Sequence, residues 1–444
     1  MRRKPTKTGL KKEKEMLLEF RVKNFRSFKD EQTFSMVASS KEKSLPGNVL
    51  KQDGYEAVKT AAIYGANASG KSNLIKAIAY FKDVVKQSTR PEPGAKIYRD
   101  VFAFESQCTK EETLFEVVFF LSGYRFQYGF SFNSEIIIEE WLYAFPYGKS
   151  KRFPFGKPQT WFTRKYDAQK DSYTWNKSNV YLKGIEQIKR NTLPNALFLS
   201  RAVQNNVKSL LDVYLWIVDK LRVIPSVSRL RPVTAGMLYS DGDETLKKLI
   251  INCLQRADIG IKDVSVKRRE IESLDIHFPK DMPDEVKKDF MTDFLYEVTF
   301  AHEVDGVMKT VLFPFEQESE GTQRYFQLLG PVLETLARGY TVFIDELESS
   351  LHPLLVRRLI QLFNESKLFK GQIVFTTHDT TQLDSKVLRR DQIWFTEKDN
   401  AGASSLYPLS DYQPQPRIGE ALEKGYLSGR YGAIPILEEF GING

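Results

Sequence analysis

The sequence predicts an α/β fold whose strands deliver polar residues from their carboxyl ends, and three observations predict it. Gly65-Ala66-Asn67-Ala68-Ser69-Gly70-Lys71-Ser72 has the pattern G-x-x-x-x-G-K-S, set between an apolar run at 61–64 and apolar residues at helical spacing over 72–85. A second apolar run, 341–344, ends in Asp345 and Glu346. A third, 372–377, ends in His378.

Each element has a chemical reading. Glycines at 65 and 70 let the backbone wrap closely, so that amides and the following helix N-terminus can face phosphate oxygens. Lys71 would neutralise the β- and γ-phosphates, and the Ser72 hydroxyl would hold Mg²⁺. Taken alone, the loop could be a glycine-containing turn; the flanking strand and helix point to a nucleoside triphosphate. In P-loop ATPases a strand ending in Asp-Glu lies beside the phosphate-loop strand. Asp345 would then hold Mg²⁺ through water, and Glu346 would polarise an attacking water. Without that neighbour, the pair would be a strand running into a solvated turn. Ser319-Glu320-Gly321-Thr322-Gln323-Arg324 opens a helix. It offers a hydroxyl, backbone amides and the helix dipole to an anion, or serves only as an N-cap. At the tip of a strand parallel to the Asp-Glu strand, His378 can reach a γ-phosphate.

The rest of the chain supplies the frame. Residues 17–28 alternate like an edge strand, with 32–36 as a hairpin partner, and 114–120, 124–132 and 135–144 read as further strands. The basic, aromatic stretch 145–175 reads either as a single-strand nucleic-acid surface or, preferably, as exposed strands joined by Pro/Gly turns. Residues 180–260 read as largely helical. They include an apolar stripe from Val207 to Leu221 and a helix over 244–255. The charged stretches 267–273 and 279–289 read as an exposed hairpin or loop, and strands return at 294–300 and 310–313.

Composition narrows the function classes. The 444 residues carry a net charge of +8, but seven Lys/Arg against two Glu put +5 of it in the first 15 residues. That leaves only +3 over the other 429 residues, a weak argument for nucleic acid. Residues 1–15 read as a disordered basic tail, with Met16 as an alternative start. No apolar run approaches transmembrane length and the first 15 residues lack a secretory core, so no membrane role is expected. Cys108 and Cys253 read as core thiols in a reducing cytoplasm, and the four histidines form no zinc-type cluster.

The order of motifs resembles ABC-type ATPases of the SMC/OLD-like branch, closest to bacterial RloA/AbiLi-type AAA-family ATPases linked to restriction loci and phage defence. The stretches that carry the resemblance are Asn24-Phe25-Arg26-Ser27-Phe28, GANASGKSN from Gly65 to Asn73, SEGTQR, FIDELESSLHP, FTTHD, and the run from Tyr426 to Pro435. The resemblance implies an ABC-type P-loop ATPase head with a mixed β-sheet, interrupted by a mainly helical insertion. The head would comprise 16–145 and 311–444, with a β-hairpin and helical lobe at 146–310. It implies ATP and Mg²⁺ as ligands, with Gly65, Asn67, Ala68, Ser69, Gly70, Lys71, Ser72, Asn73 and Arg26 at the nucleotide. Ser72 and Asp345 would be metal ligands, Glu346 and His378 catalytic, and Ser319, Gly321 and Thr322 a signature acting on the nucleotide of another copy. The signature lacks the Leu-Ser-Gly-Gly form, Ser350-Leu351-His352-Pro353 replaces a Ser-Ala-Leu-Asp loop, and Gln87 and Gln107 are the Q-loop candidates. The implied function is a soluble ATPase, a head-to-tail homodimer or higher homo-oligomer. It would regulate a separately encoded effector, a nuclease, in antiviral defence, with DNA or RNA as a possible ligand. The alternative is an OLD-like ATPase acting directly on DNA in repair or as its own nuclease.

Overall fold

The computed structural model describes residues 15–90, 92–147, 157–178, 180–224, 230–239, 244–257, 260–270, 295–303, 310–366, 370–417 and 419–435. The basic tail at 1–14, most of the charged stretch after 270, and residues 148–156 lie outside that set.

The chain begins with β1 (Met16–Lys23) and β2 (Gln32–Ser35), then a small hairpin, β3 (Val49–Gln52) and β4 (Tyr55–Val58). Strand β5 (Thr60–Tyr64) runs into the phosphate loop and helix α1 (Lys71–Gln87). A meander follows: β6 (Thr113–Leu121), β7 (Tyr124–Phe132), β8 (Ile137–Pro146), β9 (Gln159–Asp167) and β10 (Ser172–Lys177). Short helices α2 (Glu186–Arg190), α3 (Phe198–Gln204) and α4 (Lys208–Leu215) lead through a π-turn to β11 (Leu221–Ile224). After α5 (Arg231–Tyr239) and α6 (Glu244–Gln255) come β12 (Ile261–Arg268), β13 (Tyr296–Glu303) and β14 (Thr310–Pro314). The final third is α7 (Glu320–Arg338), β15 (Thr341–Ile344), α8 (Pro353–Glu365), β16 (Gln372–Thr376), β17 (Ile393–Lys398), β18 (Ser404–Pro408) and α9 (Leu422–Leu427).

Two large sheets share the core. The central one has the order β11-β15-β16-β5-β17-β18, parallel except for the antiparallel edge β18. The other is antiparallel, in the order β10-β9-β8-β7-β6-β1-β2. Side chains alternate strictly across the central sheet. Ile63, Phe343 and Val374 join the core beneath the antiparallel sheet and α1, while Tyr64, Ile344 and Phe375 pack on the other face with α7 and α8. Burial on both faces explains why β5, β15 and β16 read as unbroken apolar runs.

The 146–310 stretch departs from a self-contained lobe. Strands β9 and β10 extend the antiparallel sheet, and β11 pairs in parallel with β15 at the edge of the central sheet. Val207–Leu221 accordingly does not form one helix. The stripe ends at Trp216–Lys220, and Leu221-Arg222-Val223-Ile224 takes the strand conformation that its β-branched residues suit once β15 offers a free edge.

The described part of the basic, aromatic stretch is the β9–β10 hairpin. Trp161 and Phe162 are core residues, and the fully buried Arg164 lies 2.8 Å from the equally buried Glu140. Glu140 also accepts from the Tyr128 hydroxyl and from the first amides of α3, Phe198 and Leu199, so its lone pairs are well used. Helix α3 in turn holds the end of α1, with the Ser200 hydroxyl on the Val85 carbonyl. No helix among the described residues is long and apolar enough to cross a membrane.

Candidate nucleotide site

The site assembles at the carboxyl ends of β5, β15 and β16; β16 stands between the other two, so the Asp-Glu strand is not the direct neighbour expected, although Ser72 still reaches Asp345. Between β5 and α1 the loop turns so tightly that a Cβ at Gly65 would lie 2.5 Å from both Ser69 Oγ and the Thr396 carbonyl. At Gly70, φ is +117°, and a Cβ would meet Ser404 Oγ at 2.5 Å. The loop is thus clamped from behind: Ser69 Oγ bonds Thr396 Oγ1 at 2.6 Å, and Ser404 Oγ donates to the Ser69 carbonyl at 2.6 Å. Asn67 and Ala68, the latter at φ 60°, form the exposed crest.

Lys71 opens α1 and folds back over the loop. Its Nζ donates to the carbonyls of Gly65 (2.8 Å) and Ala66 (2.9 Å), and the residue is only 6 % exposed. Burial lowers its pKa, opposed by the charges of Glu348, Asp345 and Glu346. A buried ammonium on carbonyl oxygens, with carboxylates acting only through space, is suited to an incoming anion.

Ser72 Oγ donates to Asp345 Oδ1 at 3.1 Å, which joins residues 273 positions apart. Parallel pairing of β15 with β16 places Thr376 alongside. Its Oγ1 donates to the same carboxylate oxygen at 2.6 Å and accepts the Glu346 amide at 2.8 Å. Glu346 has φ 50° and is exposed. Two positions on, Glu348 accepts the His378 amide through Oε1 at 2.5 Å, while its buried Oε2 has no hydrogen-bond partner. No cluster of three or more His, Cys, Asp or Glu residues poised for a metal occurs among the described residues. A hydroxyl and one carboxylate oxygen, with phosphate oxygens and water to complete the shell, is the sparse oxygen donor set that Mg²⁺ accepts.

The remaining expected residues occupy two further places. Ser27 Oγ accepts from Asn73 Nδ2 at 2.7 Å, so the Asn24–Phe28 turn abuts the phosphate loop. Arg26, at φ 52°, is engaged by its neighbour Asp100, with Nη2 2.7 Å from the carboxylate. Ser319 caps α7: its Oγ accepts the Thr322 amide at 3.2 Å and lies 2.8 Å from Thr322 Oγ1. Gly321 faces the Ser350 carbonyl, and Ser350 Oγ donates to Glu320 at 2.7 Å. The signature stretch is therefore tied to the loop after Asp345, and its contacts are local. Gln87 closes α1, and Gln107 lies in the turn Ser106–Thr109.

Thr376, Glu348, Thr396 and Ser404 are additions to the residues expected at the site. The first two lie inside recognised motifs, FTTHD and FIDELESS, where a search for the polar neighbours of Asp345 and His378 could have found them. Thr396 and Ser404 carry no local signal.

The sequence matches a protein family described as "AAA domain, putative AbiEii toxin, Type IV TA system" over residues 61–157 and 237–384, more than half of the chain. The chain belongs to this AAA-domain family. The matched segments of the AAA domain include the phosphate loop, Ser319–Thr322, Asp345–Glu346 and His378. Its architecture is mixed α/β, with the phosphate-loop strand inside a parallel sheet and an antiparallel sheet packed above. Solved structures similar to it include the SMC head domain from Thermotoga maritima, with a TM-score of 0.40, 12% identity, and coverage of 88% of this chain and 98% of that one. The Smc head bound to the C-terminal winged-helix domain of ScpA aligns with a TM-score of 0.44 and 12% identity, covering 88% and 97%. A Pyrococcus furiosus Smc head with an extended coiled coil, bound to the C-terminal domain of ScpA, aligns with a TM-score of 0.37 and 11% identity, covering 89% and 96%. No curated protein sequence matches this chain significantly.

Proposed function

We propose that the chain is an ATP hydrolase. The observation that carries this reading is the Ser72–Asp345 contact beside the buried Lys71. Lys71 would exchange its carbonyl partners for β- and γ-phosphate oxygens, a charged for a neutral interaction. Ser72 and Asp345 would hold Mg²⁺, which supplies charge neutralisation on the transferred phosphoryl group. Thr376 keeps Asp345 oriented. Glu346 would take the proton of the attacking water, and His378 would meet the γ-phosphate.

Ser319, Gly321 and Thr322 would serve the nucleotide of a second copy in a head-to-tail homodimer. Their bonds within the described chain are local, and Ser319 and Glu320 are exposed. ATP would then act as an interface ligand that favours the closed state. The resemblance to RloA/AbiLi-type proteins supports the finer reading: a cytoplasmic sensor that controls a separately encoded nuclease in anti-phage defence.

Steady-state ATP hydrolysis by the purified chain, with and without DNA, tests the core of this reading. Turnover that disappears in Lys71→Ala is expected. A wild-type chain without turnover, or a Lys71→Ala variant as active as wild type, would overturn it.

A further inference from the structure

The run from Tyr426 to Pro435 carries part of the family resemblance, yet nothing in the ATPase chemistry uses it. In the structure it packs behind the site. Helix α9 presents Tyr426, only 6% exposed, whose ring stacks on Phe395 of β17 (5.5 Å, 15°) and lies 5.8 Å from Tyr64, the last residue of β5. Tyr64 leads directly into Gly65, the first glycine of the phosphate loop, and the Tyr426 hydroxyl donates to the Ala433 carbonyl at 3.0 Å. One turn earlier on α9, Glu423 Oε1 accepts from Thr380 Oγ1 at 2.7 Å, two residues past His378. Tyr64 closes the circuit by donating to the Asp379 carbonyl at 3.3 Å.

Glycines in and just before the run are required by this packing. A Cβ at Gly425 would lie 2.5 Å from the Tyr431 hydroxyl, and Gly432 has φ +71° with the Tyr407 hydroxyl 2.8 Å from its Cβ position. Tyr431 is buried against Phe395, and its carbonyl accepts from Tyr407 at 3.0 Å. The segment is therefore fitted to one seat, formed by β17, β18 and the end of β5.

We propose that α9 and the turn to Ala433 form a brace that sets the phosphate loop and the His378 segment relative to one another, with Glu423 and Tyr426 as positioning residues. The brace touches the two sides of the site at different atoms. Its two contacts therefore act on different kinetic parameters: Glu423 on the step that needs His378, Tyr426 on the loop that binds phosphate. The kinetic half of this inference rests on the ATPase reading; the mechanical half does not.

The test uses the full chain. Glu423→Ala is expected to lower kcat about tenfold, the scale of one hydrogen bond to a charged group, with the KM for ATP within about twofold of wild type. Glu423→Gln, whose amide oxygen can accept the same bond, should recover most of the rate. Thr380→Val should reproduce the Glu423→Ala loss, and the double variant should be no worse than either. Tyr426→Leu removes the ring packed on Tyr64 and Phe395 and should instead raise KM by roughly threefold, with little change in kcat. Independently of turnover, amide exchange over 378–383 should quicken in Glu423→Ala while exchange over 393–398 stays unchanged. Losses that multiply in the double variant, or unchanged exchange over 378–383, would overturn the brace. If the wild-type chain hydrolyses no ATP, the ATPase reading fails and the exchange comparison alone decides the brace.

Discussion

The two polar clusters of the site are built in opposite ways. Around the phosphate loop everything is tied inward. Lys71 is folded onto its own loop, Ser72 and Thr376 share Asp345 Oδ1, and Thr396 and Ser404 clamp the back. At the start of α7 the groups are bonded only to near neighbours, and Ser319 and Glu320 face solvent. The first cluster is closed on itself within one chain. The second is a capped helix end whose bonds, among the described residues, are local.

Four substitutions would break or sharpen this contrast. The largest effect belongs to Lys71→Ala, which removes the cation bonded to the loop carbonyls. ATP binding measured by titration calorimetry should be lost, and hydrolysis should fall at least ~10³-fold. Next, Glu346→Gln should keep ATP binding while lowering turnover about 10²- to 10³-fold, the range for losing a general base. Light scattering should then show an ATP-dependent dimer, and an unchanged rate would remove Glu346 from the mechanism.

Ser319→Arg should also silence hydrolysis, but each chain should still bind nucleotide. Mixing Ser319→Arg with Lys71→Ala chains should restore activity, because one mixed site contains an intact loop and an intact signature. Two inactive proteins that stay inactive when mixed would place both clusters in separate functions. Thr376→Val, which removes the bond to Asp345 without touching phosphate, should cost a more modest tenfold or so in kcat.

The last prediction is a stability control away from both clusters. Burial raises the Glu42 pKa, but its hydrogen bonds to Arg390 and Ser44 more than offset this, so the carboxyl is held at about 2. A depressed folded pKa contributes stability above the unfolded value of ~4.3, and that contribution fades as pH falls towards 2. Glu42→Gln should therefore lose roughly 2 kcal/mol at pH 7 and progressively less below pH ~4.3, measured by urea unfolding. A difference that stays constant down to pH 3 would contradict the assigned cause.

Much of this site was readable before any fold was known. The phosphate loop is legible because its constraint is local: glycines at 65 and 70 and the lysine that follows are needed wherever the loop sits. The strands β5, β15 and β16 are legible because burial on both faces demands unbroken apolar runs. By contrast, Leu221–Ile224 looked helical, since its apolar residues continue the spacing of α4 and only the open edge of β15 draws it into a strand. Trp161 and Phe162 looked like a surface stretch because their neighbours are lysines and arginines, yet the fold turns their side chains into the core. Thr376 and Glu348 stood in plain view without a role, because the register that pairs Ile344 with Phe375 is not written in either strand alone.

By itself, then, the sequence determined the chemistry of the ends: a loop for phosphate, a carboxylate pair, a histidine and a capped helix, each encoded within a few residues. Tertiary structure decided which of them meet. Ser72 reaches Asp345, Ser404 reaches Ser69, and Glu423 reaches Thr380, because strand order and parallel register bring distant segments to one edge. The physical reason is range. Backbone turns and apolar periodicity act over a few residues, whereas pairing across a sheet is fixed only when the whole core closes.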